Sequence, residues 1–106
     1  PGTRKLSWFI AQGRAPADGW RRIGAMIRAV HDHGVDHPDL TAHNVLLDDA
    51  GNTFLVDFDN AELKPPGPWQ LQGLERFNRS LRKVALETGT DFDAAAWREL
   101  EAGYRG

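Results

Sequence analysis

The chain has 106 residues, 41% of them apolar and 26% charged, with a formal net charge of −2 and no cysteine. That suffices for one compact domain spanning 1–106 with a core of its own, and the charge balance gives no general pull toward nucleic acid. Disulfides and thiolate metal sites are excluded, and the apolar runs, such as 45–47 and 54–56, fall far short of the roughly 20 residues that a membrane-crossing helix needs.

Taken in chain order, residues 13–19 read as a polar connection. Trp20, Ile23, Ile27 and Val30 then recur at three-and-four spacing, which predicts an amphipathic helix ending near Gly34. Met26 and Ala29 should widen its buried stripe, with Asp18 as N-cap. Residues 37–44 read as a loop. Val45-Leu46-Leu47 and 53–56 read as the two strands of a hairpin closed by a turn at 48–52. A second helix is marked by Leu71, Leu74, Phe77 or Asn78, Leu81 and Val84, with Gly89 placed to end it. A third follows Asp91 and carries Phe92, Ala96, Trp97, Leu100 and Tyr104. No repeat or low-complexity tract interrupts this order. The expected class is α+β, mainly helical, with one hairpin laid on the helical body.

The chemistry concentrates in His37-Pro38-Asp39-Leu40-Thr41-Ala42-His43-Asn44 and, thirteen residues further on, Asp57-Phe58-Asp59. Phosphoryl transfer is mostly positioning and charge neutralisation, so it requires a carboxylate beside the attacking hydroxyl and oxygen ligands for Mg²⁺. Asp39 meets the first need, and Asn44 and Asp57 the second, once the hairpin has brought Asp57 back beside Asn44. Singly, each is an ordinary turn former; the joint spacing gives them meaning. His31, His33, His37 and His43 are close enough in sequence to suggest a zinc cluster. Zinc, however, needs three or four ligands converging tetrahedrally, whereas His31 and His33 leave a helix end in different directions. His37 is expected to brace the loop through backbone groups, including those near Asp57. His43 either contacts substrate or fills the loop.

Residues 37–44 resemble the catalytic loop of protein kinases, and Asp57-Phe58-Asp59 stands where their magnesium-binding Asp-Phe-Gly triplet lies. More narrowly, 40–48, 56–59, Pro66-Gly67-Pro68-Trp69 and 79–83 are similar to the lipopolysaccharide-core kinases, including those acting on 3-deoxy-D-manno-octulosonic acid (Kdo). The likeness covers roughly 20–104. It implies the C-terminal lobe of a protein-kinase-like fold, with ATP and Mg²⁺ as cofactors. Asp39 would be catalytic, and Asn44 and Asp57 would bind metal and nucleotide. The implied reaction is ATP-dependent phosphorylation of a Kdo sugar on the lipid A precursor, at the cytoplasmic face of the bacterial inner membrane.

Departures from the general kinase pattern carry their own expectations. Pro38 replaces an arginine that commonly pairs with a phosphorylated activation loop, so that form of control is not expected. Asp59 replaces a flexible glycine and adds negative charge near the metal ligands. The stretch 60–68 is too short for an ordinary activation segment. No Gly-x-Gly-x-x-Gly loop precedes residue 37, and neither Arg4-Lys5 nor another stretch reads as the lysine-bearing strand of the nucleotide-covering lobe. That N-lobe is therefore expected in a longer protein of which this chain is the C-terminal part, and Pro1 in place of methionine agrees. Two alternatives stand beside this reading: a soluble-acceptor kinase of the aminoglycoside or choline type, and a non-enzymatic remnant that binds a partner.

Arg76, Arg79 and Lys83 fall at i, i+3 and i+7 of the second predicted helix and so make one basic stripe. With Trp69 it reads either as a solvated face or, if the acceptor is an anionic glycolipid, as a peripheral contact to the bilayer surface, where each basic residue contributes about 1 kcal/mol.

Overall fold

The computed structural model describes residues 2–14, 19–90 and 92–106. In chain order the elements are β1 (Arg4–Lys5), α1 (Leu6–Ala11), α2 (Gly19–Asp32), β2 (Val35–Asp36), β3 (Val45–Leu47), β4 (Thr53–Leu55), β5 (Glu62–Leu63), α3 (Trp69–Glu87) and α4 (Ala94–Arg105). The fold is mixed α and β, with two small antiparallel sheets against a helical body.

The hairpin forms as its sequence predicts. Val45 pairs with Leu55 and Leu47 with Thr53, and Val45 and Leu47 point into the core while Leu46 between them does not. Asp48 builds the turn: its carboxylate accepts from the backbone N–H groups of Ala50 and Asn52 and from the Asn52 amide. Those bonds hold the Asp48 carboxyl below its usual range. Gly51 supplies the positive φ the turn requires, at 85°. β1 pairs with β3 on the far side, placing Arg4 opposite Leu47. β2 and β5 form a second short ladder, Val35 against Leu63. It is clamped by the backbone bond from Lys64 N–H to Gly34 C=O and by a 2.6 Å ion pair between Lys64 and Asp36.

The helices obey their apolar periodicity with local exceptions. Ile23 and Ile27 of α2, Phe77 and Leu81 of α3 and Leu100 of α4 fill one core with Leu6, Leu40, Val45 and Leu47. Ala29, expected in the stripe of α2, is exposed, and so is Leu71, which stands at the rim of the α3 stripe in its first turn. The N-cap expected at Asp18 lies outside the described residues, as does Asp91. The cap of α4 is Asp93, whose carboxylate accepts from the N–H groups of Ala95 and Ala96. α1 and β1, unread in the sequence, complete the core and the sheet.

α2 and α4 cross at closest range through two glycines. A Cβ built on Gly24 would sit inside the carbonyl of Leu100, and one on Gly103 inside the carbonyl of Arg21. Each glycine therefore meets the other helix's backbone, which lets the two helices approach closely at these two points.

Beside that crossing His31 is buried, with Nδ1 2.6 Å from the Tyr104 hydroxyl and its ring edge-on to Trp69 at 5.1 Å between centroids. Burial pushes the Tyr104 phenol up, so it keeps its proton beside His31. Burial is also the largest influence on His31 and lowers it below its ordinary value of 6.5, against the opposing pull of Asp36 and Asp32. Well above pH 6.5 both folded and unfolded forms are neutral there. As the pH falls below that value the unfolded chain takes up a proton that the folded chain resists, so stability declines on the acid side. The slope from one such group is at most about 1.4 kcal/mol per pH unit. His31→Phe retains the ring but cannot titrate. Its urea midpoint should be lower at pH 7, yet fall less than wild type between pH 7 and pH 5.5. Equal acid slopes would place the sensitivity elsewhere.

Candidate active site

Residues 37–44 alternate anchored and presented groups. Leu40 and Ala42 are buried, Asp39 and His43 are exposed, and Thr41 and Asn44 lie between. His37, only 3% exposed, organises the loop. Its Nδ1 accepts the Asp39 backbone N–H at 3.1 Å, which leaves the ring proton on Nε2 to be donated to the Val56 carbonyl at 2.9 Å. Phe58 packs edge-on against the same ring, 5.0 Å between centroids. One imidazole thus ties the turn carrying Asp39 to the chain leaving β4.

Asn44 makes the second tie. The atom facing the Asp39 carbonyl at 2.8 Å must be the amide nitrogen, since that carbonyl only accepts. The carboxamide oxygen is therefore left without a hydrogen-bond partner among the described residues. The Asn44 backbone carbonyl accepts from the Val56 N–H at 3.0 Å, so both polar backbone groups of Val56 are held by the 37–44 loop. The next residue is Asp57, with φ of 66°, the one non-glycine of the described residues in the left-handed region. Such a conformation costs on the order of 1 kcal/mol and is best tolerated by Asp and Asn among L-residues. It occurs where the clamped strand ends, so the strain is held by His37 and Asn44 on the preceding residue.

The structure thus brings the segments of Asp39, Asn44 and Asp57 into one hydrogen-bonded unit. Asp57, Phe58 and Asp59 are exposed beside it. Among the described residues no group of three or more His, Cys, Asp or Glu could hold a metal by itself. Mg²⁺, however, is commonly held by one or two protein oxygens together with substrate phosphates, and the donor set of one carboxylate and one unengaged carboxamide oxygen fits that mode.

Sequence reasoning missed the outer supports of the loop. Ser80 of α3 accepts the Ala42 N–H at 2.9 Å, and the Ala42 carbonyl accepts from Ser7 N–H at 3.0 Å. A serine within a basic helix gives no signal of such a role. Trp69 is half-buried, with its indole N–H donated to the Pro65 carbonyl at 2.7 Å and its ring against His31. Arg76, Arg79 and Lys83 line a cleft beside the loop, and Trp69 is not among the residues lining it.

Residues 2–104 match the model of the Lipopolysaccharide kinase (Kdo/WaaP) family. The chain belongs to this family. Curated proteins named 3-deoxy-D-manno-octulosonic acid kinase are among its relatives. One from Xylella fastidiosa (strain M12) is 42% identical over 101 residues, covering 94% of this chain and 39% of its own length. One from Haemophilus influenzae (strain 86-028NP) is 38% identical over 102 residues, 93% and 42% respectively. Another from Mannheimia succiniciproducens is 33% identical over 106 residues, 97% and 44%. Measured against these lipopolysaccharide kinase relatives, the chain spans about two fifths of their length.

Proposed function

We propose that this chain is the catalytic-loop half, a protein-kinase-like C-lobe, of an ATP-dependent kinase that phosphorylates a Kdo sugar on the lipid A precursor of lipopolysaccharide. The observation that carries the reading is the clamp at Val56, which joins the Asp39–Asn44 loop to the left-handed Asp57. It is supported by membership of the family and by relatives whose names specify that sugar acid.

Asp39 would orient the acceptor hydroxyl and take its proton as the bond to phosphorus forms. Asn44 Oδ1 and the Asp57 carboxylate would hold Mg²⁺, which neutralises charge on the ATP phosphates when bound. His37 keeps both loops in register without touching substrate. The phosphate-covering loop and its lysine would come from the remainder of a longer protein, as in the two-lobed kinases. A glycolipid acceptor places the enzyme peripherally at the cytoplasmic face of the inner membrane, where that precursor is exposed to ATP.

The test is phosphate transfer from labelled ATP by the intact protein, offered Kdo-bearing lipid A precursor or an aminoglycoside. Label should appear on the Kdo glycolipid alone. Asp57→Asn should raise the Mg²⁺ concentration for half-maximal rate by about tenfold or more, since it removes the charged member of the donor set. Labelling of the soluble acceptor in its place would reassign the substrate class, and an unchanged Mg²⁺ requirement would remove Asp57 from the metal site.

A further inference from the structure

Arg76, Arg79 and Lys83 do not stand as an open stripe. With Ser80 of the same helix, and with Thr41 and His43 of the 37–44 loop, they line a cleft of about 270 Å³. That is slightly below the roughly 300 Å³ at which sites for whole drug-sized ligands begin. It accommodates a charged head group and leaves the body of a ligand outside.

Three basic residues line this void, with little to neutralise them. Among the described residues Arg76 and Lys83 form no ion pair, and Arg79 has only the exposed Glu75 carboxylate at 3.8 Å. Arg76 Nε is shut off from solvent without a hydrogen-bond partner, a condition that folded chains rarely leave in place without a reason. The frame around them is tied together by a hydrogen bond. Ser80 Oγ accepts the Ala42 N–H, so its own hydroxyl proton remains to donate, and Thr41 and His43 on either side of Ala42 are fixed to α3 by that bond. Asp39 and Asn44, on the same loop, do not line the cleft. An anion seated there would lie beside the reacting centre and not at it.

We infer that this cleft is the anion subsite for the acceptor, taking a phosphate monoester or carboxylate of the molecule whose hydroxyl is presented to Asp39. The inference rests on the phosphotransferase reading above and adds where the acceptor is gripped. Arg76 and Arg79 supply the forked, planar donors that match such oxygens, Lys83 supplies a point charge, and the Ser80 and Thr41 hydroxyls complete the set. The nucleotide phosphates belong to the Asn44 and Asp57 side, so ATP binding does not depend on these cations.

In the intact protein, Arg76→Gln/Lys83→Gln should raise the KM for Kdo-bearing lipid A precursor by about tenfold or more, because charge-assisted hydrogen bonds are lost. The values of kcat and of the KM for ATP should change little. Should the Arg76 change impair folding, Arg79→Gln/Lys83→Gln, at two exposed positions, replaces it with the same expectation. A second arm needs no turnover. Inorganic phosphate should produce a saturable shift of the His43 ring signals by NMR in the wild type and not in the variant, which decides the subsite even if the protein proves to phosphorylate another acceptor. A third arm separates a lipid headgroup from the acceptor by using phosphatidylglycerol vesicles. A variant that loses vesicle binding but keeps its acceptor KM assigns the cations to the bilayer and overturns the inference. An unchanged acceptor KM, or a wild-type His43 signal that ignores phosphate, overturns it as well.

Discussion

Alanine at Asp39 is expected to lower kcat of the intact protein by about 10²–10⁴-fold, the range contributed by a positioned general base, with the thermal midpoint and the KM for ATP near wild type. The separation of activity from stability follows from how the loop is built. The structural bonds of Asp39 are made by its backbone: its N–H to His37 Nδ1 and its carbonyl to the Asn44 amide. The carboxylate itself is exposed, so removing it leaves the scaffold intact. Asp39→Asn should behave alike, since a carboxamide preserves shape and cannot accept the proton. Turnover within tenfold of wild type in either variant would remove the assigned role. A collapse in stability would show that the side chain supports the fold.

Alanine at Gly24 or Gly103 should produce the largest loss of stability of any single methyl added to this chain. In an exposed helix interior Gly→Ala is favourable by about 1 kcal/mol. Here the added carbon meets a backbone carbonyl of the facing helix, and backbone cannot swing aside as a side-chain tip can. Overpacking costs about 1–3 kcal/mol and occasionally more. Relief would require α2 and α4 to separate along their whole contact, disturbing the His31–Tyr104 bond as well. Against a typical total of about 5–15 kcal/mol, a net loss of about 2 kcal/mol or more would be visible as a marked fall in the urea midpoint. A midpoint equal to or above wild type for both variants would mean that the two helices do not meet at these glycines. Activity should fall with it, because α2 leads through β2 into the 37–44 loop.

The local features were legible because short-range geometry determines them. The offset from Asp39 to Asn44 and the hairpin between Asn44 and Asp57 are set by turn and strand lengths. Asp48 and Gly51 specify the turn by chemistry that acts within four residues, and the stripes of α2 and α3 follow from periodicity. Where the periodicity misled, at Ala29 and Leu71, the error lay at the edge of a stripe, where a helix does not say how far its neighbour reaches.

What tertiary structure alone decided involves surfaces distant in the chain. Nothing in Arg4-Lys5 announces that it pairs with β3, nothing in Ser80 that it holds Ala42, and nothing in Gly24 and Gly103 that they face each other's helices. The spacing of Arg76, Arg79 and Lys83 predicts a common face but not that the catalytic loop closes that face into a cleft. The left-handed Asp57 likewise follows directly on Val56, which His37 and Asn44 hold from a loop distant in sequence. Local residue chemistry determined which groups this protein offers, and packing between remote segments determined which of them meet, because a long-range contact depends on the mutual fit of two surfaces that neither segment encodes by itself.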